Sequence, residues 1–232
     1  MNERRAAIYH FTDGGKIRPI VYQKEIDRIK KFANDIGYPD AKVYLDKSLK
    51  KKEQIQLQEL LQDISNYQAI IMKDFYHLRR NTGAFMNDLI ALSNKGVNVY
   101  TIEDGNFQLK KAPFEQPLNV ALYYCGLEIT GRSIELQFKI MNYFVQTCTK
   151  WKVIDEYADI SGNRIDGNQK QLQKLIKNHD KYDLVLVQSF NDIHWRTAKF
   201  CKVRHQIQRD IYSMHEEMYL KYEQGGKNEE KL

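Results

Sequence analysis

Short, unbroken apolar runs alternate along this chain with stretches in which apolar residues return every third or fourth position. The first run is Ala6-Ala7-Ile8-Tyr9-His10-Phe11. It has the length and continuity of a strand buried on both faces of a parallel sheet. Next, Ile26, Ile29, Phe32, Ala33 and Ile36 mark one helix face, with Lys30 and Lys31 on the other. A brief strand (42–45), a polar loop, and a helix carrying Leu57, Leu60, Leu61 and Ile64 follow. Ala69 to Met72 reads as the clearest strand of this half, and after another helix a glycine leads into Val97-Asn98-Val99-Tyr100-Thr101-Ile102. Strands alternating with helices predict an α/β fold with a mainly parallel sheet flanked by helices.

The same succession then starts again. Ala7-Ile8-Tyr9 returns as Ala121-Leu122-Tyr123, Gln23 as Gln137, and Val43-Tyr44-Leu45-Asp46 as Glu156-Tyr157-Ala158-Asp159. Gln56-Leu57-Gln58-Glu59-Leu60-Leu61 returns as Gln171-Leu172-Gln173-Lys174-Leu175-Ile176, and Tyr67-Gln68-Ala69-Ile70-Ile71-Met72 as Tyr182-Asp183-Leu184-Val185-Leu186-Val187. Phe138, Met141, Phe144 and Val145 form the matching helix stripe, and 152–155 the matching brief strand, while Asp210 to Met214 is a weaker counterpart of the last strand. A spacing near 114 residues is that of a duplicated domain, since solenoid repeats run to roughly 20–50 residues. The expected organisation is therefore domain 5–105, linker 106–117, domain 118–217 and tail 218–232. Gly105, Pro113 and Pro117 interrupt regular structure in the linker, and Gly225-Gly226 loosens the tail.

Charge and cysteines change this picture little. The 36 basic and 30 acidic residues give a net charge of +6, which divides at Pro117 into +4 and +2. That excess is compatible with a polyanion partner, but a surface of mixed charge is the commoner reading. Cys125, Cys148 and Cys201 share no metal-type spacing and read as reduced, mostly buried thiols. The opening Met-Asn-Glu-Arg-Arg lacks a signal peptide's apolar core, and no apolar run has the length of a membrane span. A soluble, cytoplasmic protein without cofactor or metal is expected.

In order, these residues resemble the catalytic domain of the serine site-specific recombinases, the resolvase and invertase family. The second half carries Ser133-Ile134-Glu135-Leu136-Gln137, which is similar to the segment opening the family's first long helix. Trp151 leads a strand that continues through Tyr157-Ala158-Asp159 to Ser161-Gly162, after the family's Trp, Tyr-x-Asp and Ser-Gly pattern. In the first half, His77-Leu78-Arg79-Arg80-Asn81 resembles the family's Arg-Leu-Ser-Arg-Asn. The resemblance spans roughly 5–105 and 118–217, and it implies two tandem resolvase-like α/β domains.

It also implies a chemistry that these residues do not supply. The family attacks a DNA phosphodiester with a serine at the end of its first strand, in a Tyr-x-Arg-x-Ser pattern, and uses arginines to stabilise the charge. Here Phe11 and Asp13 stand at the arginine and serine positions of the first half, and Cys125 and Leu127 at those of the second. In the later segment His77 replaces an arginine of the first half, while Asp192 and Trp195 replace both in the second. The resemblance thus implies a protein of DNA recombination or mobile elements that has lost strand cleavage and acts by binding DNA, a partner recombinase or itself. A displaced nucleophile, Thr12 or Cys125, would make it an active recombinase instead. An interaction scaffold unrelated to DNA is the third class. Arg79, Arg80 and the Lys50-Lys51-Lys52 loop are the candidate contacts for a DNA backbone; the arginine pair reads equally as a solvated helix start, and a charged surface loop is the commoner reading of the lysines. Too little chain follows Glu216 for a helix-turn-helix reader of bases.

Overall fold

The computed structural model describes residues 5–13, 19–48, 54–79, 81–105, 108–127, 133–161 and 169–222. The chain divides into two compact units, 1–80 with 84–107, and 81–83 with 108–232. Each holds its own sheet.

In the first unit the elements are β1 (Ala6–Asp13), α1 (Pro19–Asp35), β2 (Lys42–Ser48), α2 (Ile55–Gln62), β3 (Ala69–Met72), α3 (Thr82–Asn94) and β4 (Asn98–Thr101). The strands are all parallel and lie in the order β2-β1-β3-β4. β1 and β3 are central, which is why they read as unbroken apolar runs: Ala7, Ile8, Tyr9, Ile70, Ile71 and Met72 are wholly buried. One face packs Ile8 and Ile71 against Ile29 and Ala33 of α1. Two glycines end helices where the sequence placed breaks. Gly37 and Gly96 take left-handed φ of 91° and 73°, and Tyr38 and Val97 then donate back to the carbonyls of Ala33 and Leu92.

The second unit runs β5 (Gln108–Lys110), β6 (Asn119–Leu127), α4 (Ile134–Cys148), β7 (Lys152–Ser161), α5 (Lys170–Lys177), β8 (Leu184–Val187), α6 (Phe190–Ile193), α7 (Thr197–Ile207), β9 (Asp210–Ser213) and β10 (Met218–Lys221). Its sheet order is β5-β10-β9-β8-β6-β7. The stretch β7-β6-β8-β9 is parallel and repeats the order of the first sheet. Trp151, Phe114, Phe144 and Tyr212 make an aromatic cluster beneath α4, with ring centroids 5.3–6.4 Å apart.

Two expected irregular stretches contain strands. Gln108–Lys110, assigned to the linker, and Met218–Lys221, assigned to the tail, pair antiparallel as β5 and β10, and β10 pairs β9. Each is short and held by residues about a hundred positions away or by an edge, so local periodicity carries little trace of it. The cysteines also differ from expectation: Cys201 is buried, Cys125 half-buried and Cys148 exposed. Among the described residues no helix is long and apolar enough to cross a membrane.

One hydrogen-bond network recurs inside both units. Asp46, near the end of β2, accepts the Tyr9 hydroxyl at 3.0 Å and the backbone N–H groups of Gln56 (3.0 Å) and Leu57 (3.1 Å) at the start of α2. Asp159 of β7 accepts the Tyr123 hydroxyl at 3.2 Å and the N–H groups of Gln171 (3.0 Å) and Leu172 (2.9 Å). Gln54 and Gln169 complete it by donating to the two tyrosine oxygens, at 3.2 and 3.1 Å. The same glutamines reach the loop after the third strand, at the carbonyls of His77 (3.1 Å) and Ile193 (3.1 Å). Burial raises the pKa of both tyrosines, with Asp46 adding to it at Tyr9, and Cys125 and Asp159 at Tyr123. They therefore remain hydroxyl donors.

Removing Asp46 leaves two helix N–H groups and a buried hydroxyl without acceptors, at roughly 1–3 kcal/mol each where burial is complete. Asp46→Ala is expected to destabilise the first unit by about 3 kcal/mol, and Tyr9→Phe by about 1 kcal/mol. Native-state amide exchange at Gln56 and Leu57 checks this, with a much larger acceleration for Asp46→Ala than for Tyr9→Phe.

Candidate functional site

In an open parallel sheet, ligands settle outside the carboxyl ends of the strands, at the point where the strand order reverses. For β2-β1-β3-β4 that point lies between β1 and β3, and it gathers titratable side chains. His10 comes from β1, Lys73, Asp74 and His77 follow β3, and Glu25 comes from α1. The His10 side chain is 1% exposed, and among the described residues neither ring nitrogen has a hydrogen-bond partner. Its ring lies 5.3 Å from that of His77, stacked, and 5.7 Å from that of Tyr22. Its Nε2 is 3.4 Å from Glu25. Glu25 is held at 2.7 Å by Lys73, which lies 3.9 Å from Glu103. His77 Nδ1 lies 2.7 Å from Asp74, which also accepts the His77 backbone N–H.

The electrostatics follow from this packing. Burial, with the charges of His77 and Lys73, pushes the His10 pKa down to about 4 against the pull of Glu25 and Asp74. Burial alone would raise Glu25 and Asp74. Lys73 nonetheless holds Glu25 below its ordinary value, and His77 does the same for Asp74.

The second unit fills the corresponding places with neutral groups. Tyr124 follows Tyr123 as His10 follows Tyr9, and it is buried. Gln137 of α4 hydrogen-bonds Gln188 after β8, where the first unit has the Glu25–Lys73 pair. This corrects the repeat read from sequence. Gln23 is exposed and bonds Asp27, so the structural counterpart of buried Gln137 is Glu25. The two units also cap the turn after the third strand differently. Asp104 accepts the Phe75 N–H at 2.8 Å, and Glu216 accepts that of Phe190 at 3.3 Å together with the Ser189 and Ser213 hydroxyls.

The sequence-derived site residues are brought together only in part. Phe11, half-buried, and Asp13 are in β1, with Asp13 its last residue; Cys125 and Leu127 stand likewise in β6. The side chains of Asp13 and Leu127, and all of Lys50, Lys51, Lys52 and Arg80, lie outside the described residues. Arg79 is described and is already engaged, with its Nε 2.6 Å from Asp88 of α3. Asp192 belongs to a capping box with Ser189 at the start of α6, donor-to-acceptor 3.1 Å. Trp195 stacks on His194, and the Arg196 guanidinium lies 4.8 Å over its ring. Thr12 is buried, and burial pushes the Cys125 thiol up, away from thiolate. Among the described residues no group of three or more His, Cys, Asp or Glu could hold a metal.

Residues 20–119 match the family model of the resolvase N-terminal domain. The match supports a recombinase-family origin for that stretch, which runs from α1 to the first residue of β6. The N-terminal catalytic domain of TP901-1 integrase is similar at 23% identity over 44% of this chain and 80% of its own, with a TM-score of 0.36. GanP, a glucose-galactose binding protein from Geobacillus stearothermophilus, is similar at 12% identity over 92% of this chain and 78% of its own, TM-score 0.32. LsrB from Clostridium saccharobutylicum, solved in complex with AI-2, shares 12% identity over 90% and 70%, TM-score 0.29. No match is found among curated proteins.

Sequence reasoning missed His10, Glu25, Lys73, Asp88, Gln54 and Gln169. The two glutamines were within reach, since they repeat at the same spacing of 115 as Gln56 and Gln171. The others meet only through the sheet.

The buried imidazole makes a pH prediction. Unfolded His10 titrates near 6.5 and folded His10 near 4, so the unfolded chain binds the extra proton between those values. Stability then falls as pH drops from 6.5 to about 4, by at most roughly 3 kcal/mol from this group. Urea denaturation across that window checks it: His10→Phe is expected to flatten the fall relative to wild type.

Proposed function

We propose that the chain is a tandem of two degenerate resolvase-type domains that serves DNA recombination or mobile-element biology without cutting DNA, through binding to DNA or to a partner recombinase. The observation that carries this reading is the resolvase match over 20–119, taken with Asp13 at the place where the sequence resemblance puts the family's serine. The recurrence of one strand order and one Tyr–Asp–Gln network supports descent of the second unit from the same domain. Replacing a serine by Asp puts negative charge where a phosphate would approach, and Leu127 has no nucleophilic atom at all. Each lost electrostatic donor costs roughly 3–4 kcal/mol of transition-state stabilisation, and several are gone.

The first unit carries the larger positive excess, with Arg79, Arg80 and the three consecutive lysines. Its binding to DNA would be independent of sequence, with dissociation constants of about 10⁻⁴–10⁻⁶ M at physiological salt.

Incubation with supercoiled plasmid is expected to give neither nicks nor a covalent protein–DNA adduct. An adduct abolished by Thr12→Ala or Cys125→Ala would replace this reading with that of an active recombinase. Anisotropy with short duplexes is expected to show binding that weakens with salt and weakens alike on all sequences in Arg79→Ala/Arg80→Ala. Salt-independent or absent binding, with no recombinase partner, would favour the scaffold.

A further inference from the structure

Three basic side chains at the carboxyl end of the first sheet lie against a carboxylate of their own unit. Lys73 is held by Glu25 at 2.7 Å, His77 by Asp74 at 2.7 Å, and Arg79 by Asp88 at 2.6 Å. At the matching places among the described residues of the second unit, Gln137 and Gln188 bond as neutral amides, and Asp192 caps its own helix. The Arg79–Asp88 pair is the one that bears on binding. Arg79 is the described member of the candidate DNA contacts, its side chain is 38% exposed, and Asp88 on α3 is more buried at 24%.

We propose that Asp88 is a built-in competitor for phosphate: its carboxylate occupies the Arg79 guanidinium and keeps this cation from a nucleic-acid backbone until the pair is opened. This rests on the DNA-binding reading above. The chemistry favours exchange, because a guanidinium accepts a carboxylate and a phosphate through the same N–H groups. A pair exposed on one side carries only modest stabilisation, so an incoming phosphate has little to displace.

The test is a double-mutant cycle on the full chain, read by duplex anisotropy. Asp88→Asn is expected to tighten binding about three- to tenfold and to steepen the salt dependence by about 0.9, one added phosphate contact. Arg79→Ala alone should change little, and in Asp88→Asn/Arg79→Ala the gain should vanish. Asp35→Asn, the same charge change at the exposed end of α1, should give less than half the gain. A gain that persists without Arg79, or that Asp35→Asn equals, would show bulk charge alone and overturn the proposal. Thermal melts identify a folded variant, and Asp88→Ser replaces Asp88→Asn if the latter does not fold. The Arg79 Nε–H resonance during titration with inorganic phosphate separates the two readings. If no variant binds duplex but this resonance shifts in Asp88→Asn and not in wild type, the competitor stands and DNA binding fails. If it shifts in neither, the competitor is refuted.

Discussion

Asp46 and its counterpart Asp159 carry the constraint on which each unit depends. A side chain at the end of an outer strand accepts two N–H groups from the first turn of the next helix and a hydroxyl from the central strand. Those helix donors have no intrahelical partner, and a buried helix start without acceptors would be costly. One carboxyl group thus fixes three things together: where α2 or α5 begins, how it sits against the sheet, and the rotamer of the tyrosine beside it. Gln54 and Gln169 extend the tie to the loop after the third strand. The outer strand, the helix after it, the central strand and that loop are the parts from which a site at the sheet's carboxyl end is assembled.

Above this network the two units differ freely. The position joining the first long helix to the third strand is an ion pair in one and an amide pair in the other. Asp104 and Glu216 reach the same backbone N–H groups from different loops, Glu216 having one more methylene and two hydroxyls to accept. Both exchanges keep donor matched to acceptor, and this is what burial demands. His10 departs from this. Among the described residues its buried ring nitrogens have no hydrogen-bond partner, and desolvation favours the neutral form. Tyr124 fills that place in the second unit with a mainly apolar ring.

The alternation of strands and helices was legible because the central strands are buried on both faces and leave unbroken apolar runs such as Ile70-Ile71-Met72 and Leu184-Val185-Leu186. The stripe of Ile29 and Ala33, or of Met141 and Val145, was legible for the same reason, as these residues meet the sheet. β5 and β10 were not, since three or four residues at or next to a sheet edge are selected by their partners more than by their own pattern. The Gln23–Gln137 equivalence failed because identity of residue type was preferred over helical phase. Position in the helix, counted from Ile29 and Met141, makes Glu25 the true counterpart, and charge had masked the relation. The polar cluster was illegible for a topological reason: His10, Glu25, Lys73 and His77 converge from β1, α1 and the loop after β3, and no spacing along the chain announces that.

The Tyr–Asp–Gln network stands apart from the strand ends, so residues there can differ while the scaffold stays the same. Tyr9 and Asp46 meet inside the unit, whereas the positions two and four residues after Tyr9 stand at the end of β1. The residue type at these ends, Asp13 in β1 and Leu127 in β6, differs between the units while the network is the same in both. In the segments after the third strands, the His77 imidazole lies beside Asp74, and the Asp192 side chain turns back to cap its own helix. Charged side chains after the third strand of the first unit thus meet partners of their own unit, and under the proposal above the more exposed Arg79–Asp88 pair is the one that an external anion would contest.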